Sequence, residues 1–198
     1  MTPRNTRILL IASAFLAGLM LCFAVLLMVV GRGAGPITGP SAVGGPFRLV
    51  DQDGRAVTEQ DLKGRPTLVF FGFTHCPDVC PTTLFEVSEV LEKLGPDAEK
   101  VNAVFITVDP ERDTPETLKA YLSSFNPRLK ALSGDAEAIA KVAKAYRAYY
   151  RKVPLDQGGY TMDHTALVYL MDKNGAFVAP FSLKRTAEAA AEDLRRHL

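Results

Sequence analysis

The chain has 198 residues, 47% of them hydrophobic, and carries 23 Lys or Arg against 22 Asp or Glu, a net charge of +1. So even a balance excludes the strongly basic character that nucleic-acid binding needs, and no basic patch offers a second membrane contact. Three cysteines, Cys22, Cys76 and Cys80, are too few for a disulfide scaffold.

Residues 8–30, ILLIASAFLAGLMLCFAVLLMVV, run 23 positions without a charge. As a helix rising about 1.5 Å per residue the run is roughly 35 Å long, enough to cross a hydrocarbon core of about 30 Å. Arg4 and Arg7 precede it, and no acidic residue occurs before Asp51. The positive-inside rule therefore keeps residues 1–7 in the cytoplasm and exports the rest. A cleaved signal peptide would have a shorter apolar core of about 7–15 residues, and residues 31–34 make a poor cleavage site. Leu19-Met20-Leu21 lacks the small residues of a lipid-attachment site, so Cys22 is expected to be a small apolar side chain within the span. The seven residues before the span are too short for an amphipathic mitochondrial leader. The expected location is thus a bacterial inner (plasma) membrane, single-pass, with the C-terminal domain in the periplasm or outside.

Nine of the sixteen residues 31–46 are Gly or Pro. Such a stretch cannot recover its ordering entropy by burial and reads as a tether. The exported domain then spans 47–198, long enough for one full core. Beyond position 30 there are 21 basic residues (23 less Arg4 and Arg7) and 22 acidic ones, a net of −1.

Within that domain Asp53-Gly54 divides residues 47–58 into a hairpin. Residues 67–73, TLVFFGF, are a continuous apolar run and read as a buried central strand. A helix is predicted over 81–94, with Pro81 at its first position, Leu84, Val87, Leu91 and Leu94 on one face, and Gly95-Pro96 as its stop. A second buried strand covers 101–108. Thr114-Pro115 opens a further helix, which Asn126-Pro127 closes, and Asp135 caps another that runs to about Tyr146. A strand over 166–171 turns through Lys173-Asn174-Gly175 into Phe177-Val178, and Thr186 caps the last helix. This order predicts an α/β sandwich of thioredoxin type, a central mixed sheet flanked by helices.

The chemistry lies in the stretch Thr74-His75-Cys76-Pro77-Asp78-Val79-Cys80-Pro81. It falls between the carboxyl end of a strand and the start of a helix, where open α/β sheets place their sites. Side chains four apart on a helix have Cβ atoms about 5–6 Å apart. A small adjustment then closes a disulfide or lets both sulfurs grip one ion. The helix N-terminus favours thiolate, while Asp78 opposes it, and the sequence does not sign the sum. A disulfide with no task is the plain alternative, but a bridge closing so short a loop constrains the unfolded chain little.

A third donor distinguishes a metal site from a dithiol. His197 sits beside the C-terminus, and the ring of His75 should point away from its neighbour Cys76 on an extended segment. His164 follows a loop over 153–159 and precedes the strand at 166, and in a thioredoxin-type sheet that loop runs beside the cysteines. Two thiolates and an imidazole suit copper in both oxidation states. Structural zinc sites want four ligands, and no fourth strong donor is obvious. Asp78 and Asp163 are expected beside the ligands rather than on the ion.

Thr74-x-Cys76-Pro77-Asp78-Val79-Cys80-Pro81, Val108-Asp109-Pro110-Glu111-Arg112-Asp113-Thr114-Pro115 and Asp163-His164-Thr165, in this order, resemble the Sco/SenC family of membrane-anchored, thioredoxin-like copper proteins. The likeness extends from about Gly45 to the C-terminus. It implies copper ligation by Cys76, Cys80 and His164, and either delivery of copper to the CuA site of cytochrome c oxidase subunit II or reduction of that site's cysteines. It also implies a copper donor or thiol reductant in the periplasm as a second partner. The segment 109–115 is explained equally by a strand end and a helix cap, and no chemistry is assigned to it.

Three functions compete. A copper chaperone uses all three donors. A thiol–disulfide reductase needs only the reversible Cys76/Cys80 pair and could act on the CuA-site cysteines. Against general dithiol exchange, no proline stands just before the strand at 166, where thioredoxins keep one. A peroxide-sensing dithiol is the least favoured.

Overall fold

The computed structural model describes residues 13, 15–26, 28 and 43–198. Residues 1–40 and 41–198 form separate units and are taken separately. Residues 15–26 are helical and their apolar side chains are exposed, Phe15, Leu16 and Met20 among them. Among the described residues no helix is long and apolar enough to cross a membrane. The predicted span 8–30 falls partly, and the cytoplasmic segment 1–7 and most of the tether 31–46 fall wholly, outside the described residues.

The second unit is a seven-stranded mixed sheet in the order β2 (Ala56–Thr58), β1 (Arg48–Asp51), β5 (Leu129–Ser133), β4 (Asn102–Thr107), β3 (Thr67–Gly72), β8 (Val168–Met171) and β9 (Phe177–Pro180), with a separate two-stranded hairpin of β6 (Tyr150–Pro154) and β7 (Tyr160–His164). β1 (Arg48–Asp51) and β2 (Ala56–Thr58) form the predicted hairpin. Its turn needs Gly54 at φ +79°, a backbone that side chains with a Cβ rarely adopt. Asp51 secures the turn by accepting the N–H groups of Asp53 and Arg55, both at 2.9 Å.

β3 (Thr67–Gly72) is buried at every position. It runs parallel to β4 (Asn102–Thr107) and antiparallel to β8 (Val168–Met171). Both faces of β3 are covered, so its sequence shows no polar alternation. β9 (Phe177–Pro180) closes that edge after a turn at Gly175, φ +82°.

Helix α1 (Val79–Leu94) starts two residues before the predicted position, so Cys80 lies within its first turn. Pro81 is tolerated there because N–H groups of the first turn have no intrahelical partner to lose. The predicted Leu84, Val87, Leu91 and Leu94 are all buried. Each is worth about 1.5–3 kcal/mol relative to exposure. The α-helix ends at Leu94 with Gly95 as its C-cap, as predicted, and a 3-10 segment, Gly95–Lys100, follows.

α2 (Pro115–Leu122) and α3 (Ala136–Ala145) lie on β5 and β1, and α4 (Ala187–Arg195) packs on α1. The three predicted caps form: Thr114 accepts the Thr117 N–H, Asp135 the Ala138 N–H and Thr186 the Ala189 N–H. α2 ends at Leu122, before Asn126-Pro127.

Two features go beyond the expected plan. β5 (Leu129–Ser133) completes the sheet between β1 and β4. The expected loop over 153–159 is instead mostly the turn of an antiparallel hairpin, β6 (Tyr150–Pro154) with β7 (Tyr160–His164). His164 is therefore the last residue of a strand, paired with Tyr150.

Candidate metal centre

β3 delivers the chain to Gly72 at the carboxyl edge of the sheet, and the cysteine loop begins there. A Cβ on Gly72 would come within 2.8 Å of the Cys80 sulfur and 2.6 Å of the Phe105 ring. The absence of a side chain at this strand end is what lets the first turn of α1 seat Cys80 directly on the sheet. Cys80 is fully buried, Cys76 is half-buried and both are free thiols. The Cys76 Sγ accepts the Cys80 N–H at 3.4 Å, so one sulfur caps the helix that carries the other.

His164 arrives from the hairpin, 84 residues beyond Cys80, with Nε2 at 3.4 Å from the Cys80 Sγ. Its Nδ1 lies 3.2 Å from the Thr165 carbonyl. A carbonyl can only accept, so Nδ1 carries the proton and the Nε2 lone pair faces the sulfurs. The rings of Phe70 and Phe73 meet the imidazole edge-on, with centroids at 6.1 and 5.7 Å. Both phenylalanines are buried and restrict the ring's rotation.

The donor atoms of Cys76, Cys80 and His164 all lie within 4.8 Å of one another. No fourth His, Cys, Asp or Glu joins them among the described residues. Two soft sulfurs and one imidazole nitrogen, without a fourth strong donor, fit copper better than structural zinc.

Burial governs the electrostatics. Desolvation pushes the Cys80 thiol well above its ordinary range, and the Cys76 sulfur and Asp113 push the same way against a backbone hydrogen bond from Phe73. The sum left unsigned by the sequence is thus upward for this thiol. Desolvation also pulls His164 down, keeping its imidazole neutral at pH 7, against the opposing pull of the Thr165 carbonyl and Asp163.

The expected accessory carboxylates make other contacts. Asp78 is exposed at the start of α1, where Thr82 bonds it, and Asp163 pairs with Arg151 across the hairpin at 3.7 Å. The acidic group that grips the cysteine loop is Asp113, with no side-chain exposure. Its carboxylate accepts the Thr74 N–H at 3.0 Å and the Thr74 hydroxyl at 2.6 Å. Sequence reasoning missed Asp113, Gly72 and the two phenylalanines; only the Val108–Pro115 motif marked one of them. His75 is exposed, with Nδ1 3.1 Å from the Thr74 hydroxyl, and neither it nor His197 joins the cluster.

Fold and site together define a thioredoxin-like domain that carries a dithiol–imidazole centre at the carboxyl edge of its sheet. The family model described as SCO1/SenC matches residues 35–198, and the chain belongs to that family. It is 43% identical over 145 residues to the Arabidopsis thaliana mitochondrial protein SCO1 homolog 1, covering 73% of this chain and 43% of that one. It is 43% identical over 162 residues to the Bos taurus mitochondrial SCO2 homolog, covering 80% of this chain and 61% of that one. Less than two thirds of either relative is therefore matched. The structure of Bradyrhizobium japonicum ScoI with copper bound superposes with a TM-score of 0.77 at 67% identity, covering 79% of this chain and 99% of that one.

Proposed function

We propose that this chain is a copper metallochaperone. Cys76, Cys80 and His164 hold a copper ion as cargo for the CuA site of cytochrome c oxidase subunit II. Residues 8–30 tether the domain to a bacterial plasma membrane. The observation that carries the reading is the convergence of three copper-suited donor atoms within 4.8 Å. The similar B. japonicum protein was solved with copper bound, and the family resemblance supplies the acceptor.

The geometry suits transfer as well as capture. Cys76 is the sulfur that solvent reaches, while Cys80 is sealed beneath it. An incoming thiolate can displace Cys76 while Cys80 and His164 keep hold, and then replace those in turn. Three ligands leave the ion open to a fourth from the acceptor. Copper binding requires the reduced dithiol, so oxidation of the pair switches the site off.

The test compares the wild type and His164→Ala, both reduced. Cu(II) affinity should fall by at least about a hundredfold, since loss of even a supporting partner costs about 10–100-fold. Cu(I), which two thiolates can hold, should be affected far less. Equal Cu(II) affinity in the two proteins would end the three-ligand reading.

A second reading, a thiol–disulfide reductase acting on the CuA-site cysteines, draws on the asymmetry of the pair. The half-buried Cys76 is placed to attack and the buried Cys80 to resolve. His164→Ala would leave that activity intact.

A further inference from the structure

Both ligand-bearing segments are tied to one short loop, residues 109–113, between β4 and α2. At one end of it Asp113 takes three hydrogen bonds. Two come from Thr74, two residues before Cys76, and the third from the Thr107 hydroxyl at 2.6 Å. At the other end, Asp109 is 1% exposed. It accepts the Tyr160 hydroxyl at 2.9 Å and the Arg112 Nε–H at 2.5 Å. Arg112 then donates from Nη1 to the Tyr160 carbonyl at 3.0 Å. Its guanidinium carbon lies 3.8 Å from the centroid of the Tyr160 ring and 5.8 Å from that of Phe73. Tyr160 opens β7, the strand that ends in His164. Lys152 of β6 adds a bond from the same hairpin to Glu111 at 2.7 Å.

We propose that residues 109–113 are a clasp that sets the distance between the thiol pair and the imidazole, with Asp113 positioning the cysteine loop and Arg112 positioning His164. The proposal rests on the copper reading of the site. β6 and β7 form a sheet of their own, outside the main one, and an isolated two-stranded hairpin is marginal in water. Charge-assisted bonds from a loop with a buried aspartate at each end supply the missing rigidity. The two oxidation states of copper separate the two ends of the clasp. The two thiolates can hold Cu(I) even when the imidazole is misplaced, whereas Cu(II) depends on the imidazole. Loosening Arg112 should therefore cost Cu(II) selectively, and loosening Asp113 should cost both ions.

The experiment uses the reduced full chain in detergent and the variants Arg112→Met, Arg112→Lys, Tyr160→Phe and Asp113→Asn. Cu(I) and Cu(II) affinities are measured by competition, and amide hydrogen exchange is followed in the metal-free protein. For Arg112→Met, Cu(II) affinity should fall about 10–100-fold, with Cu(I) affinity within about threefold. Exchange at residues 161–164 should rise at least tenfold while β3 and β4 exchange as before. Arg112→Lys should recover part of the loss, and Tyr160→Phe, which removes a single bond, should show the same pattern more weakly. Asp113→Asn should weaken both ions together. Equal losses of both ions in Arg112→Met with faster exchange throughout the sheet would overturn the clasp, as would unchanged exchange in β7. If Arg112→Met does not fold, Arg112→Lys and Tyr160→Phe decide by the same criteria. A wild-type chain that binds neither ion would overturn the copper reading instead, and the metal-free exchange pattern would still decide the clasp.

Discussion

Cys80 and His164 touch each other, yet burial moves them in opposite directions on the pH scale, because it disfavours the charged form of each. His164 is held below its ordinary 6.5, so the folded state resists protonating it. Its contribution to stability is present above pH 6.5 and is lost as pH falls through the depressed value. Cys80 is held above its ordinary 9.0, so its contribution is present below pH 9 and is lost as pH rises towards the elevated value. The reduced, metal-free protein should therefore be most stable between these limits. Denaturant titrations at pH 5, 7.5 and 10 check this. His164→Ala should flatten the acid side and Cys80→Ala the alkaline side, and unchanged limbs in both variants would contradict the assignment. Copper must also expel the Cys80 proton, so its affinity should climb with pH by up to about tenfold per unit for each proton released.

Between elements, the tightest approach is the end of β3 against the start of α1, and Gly72 permits it. In Gly72→Ala the new methyl would press on the Cys80 sulfur and the Phe105 ring, both buried in the core. Overpacking of this kind costs about 1–3 kcal/mol, and here the displaced atom is a proposed ligand. We expect a lower midpoint of thermal unfolding together with weaker binding of both copper ions; a variant with wild-type copper affinity would show that the sulfur can yield without loss. How readable each element was follows from how local its causes are. The caps at Thr114, Asp135 and Thr186 were legible because a side chain there bonds an N–H three residues on. β3 and α1 were legible from the buried run and the leucine spacing. β5, LKALS, has one exposed lysine among buried neighbours and too few residues to establish a period. The β6–β7 hairpin hid for another reason: Pro154, Gly158 and Gly159 read as loop, and Met162 is the one fully buried residue of its strands. Its order comes from contacts with residues 109–113, which no window of sequence shows.

At the scale of the whole molecule, the core, the copper-suited donors and the clasp all lie within residues 43–198. A chain beginning at residue 43 should therefore unfold cooperatively and bind Cu(I) and Cu(II) within about twofold of the full chain, a margin of a few tenths of a kcal/mol. It should also leave the membrane fraction, since the apolar run 8–30 is gone. Copper affinity that drops sharply on truncation, or a truncated protein that still sediments with membranes, would revise the proposed division of the chain. Taken alone, the sequence determined what depends on near neighbours: turn glycines, helix caps, buried runs, and the pairing of Cys76 with Cys80 at a strand–helix junction. Its place before the strand at 166 made His164 the candidate third donor, and the family motifs pointed to the same residue. Tertiary structure alone decided that His164 meets the Cys80 sulfur at 3.4 Å, that Asp113 holds the cysteine loop and that burial raises the Cys80 thiol. Each of these depends on which distant segments pack together and how much water they exclude, and neither quantity is encoded in the spacing of residues along the chain.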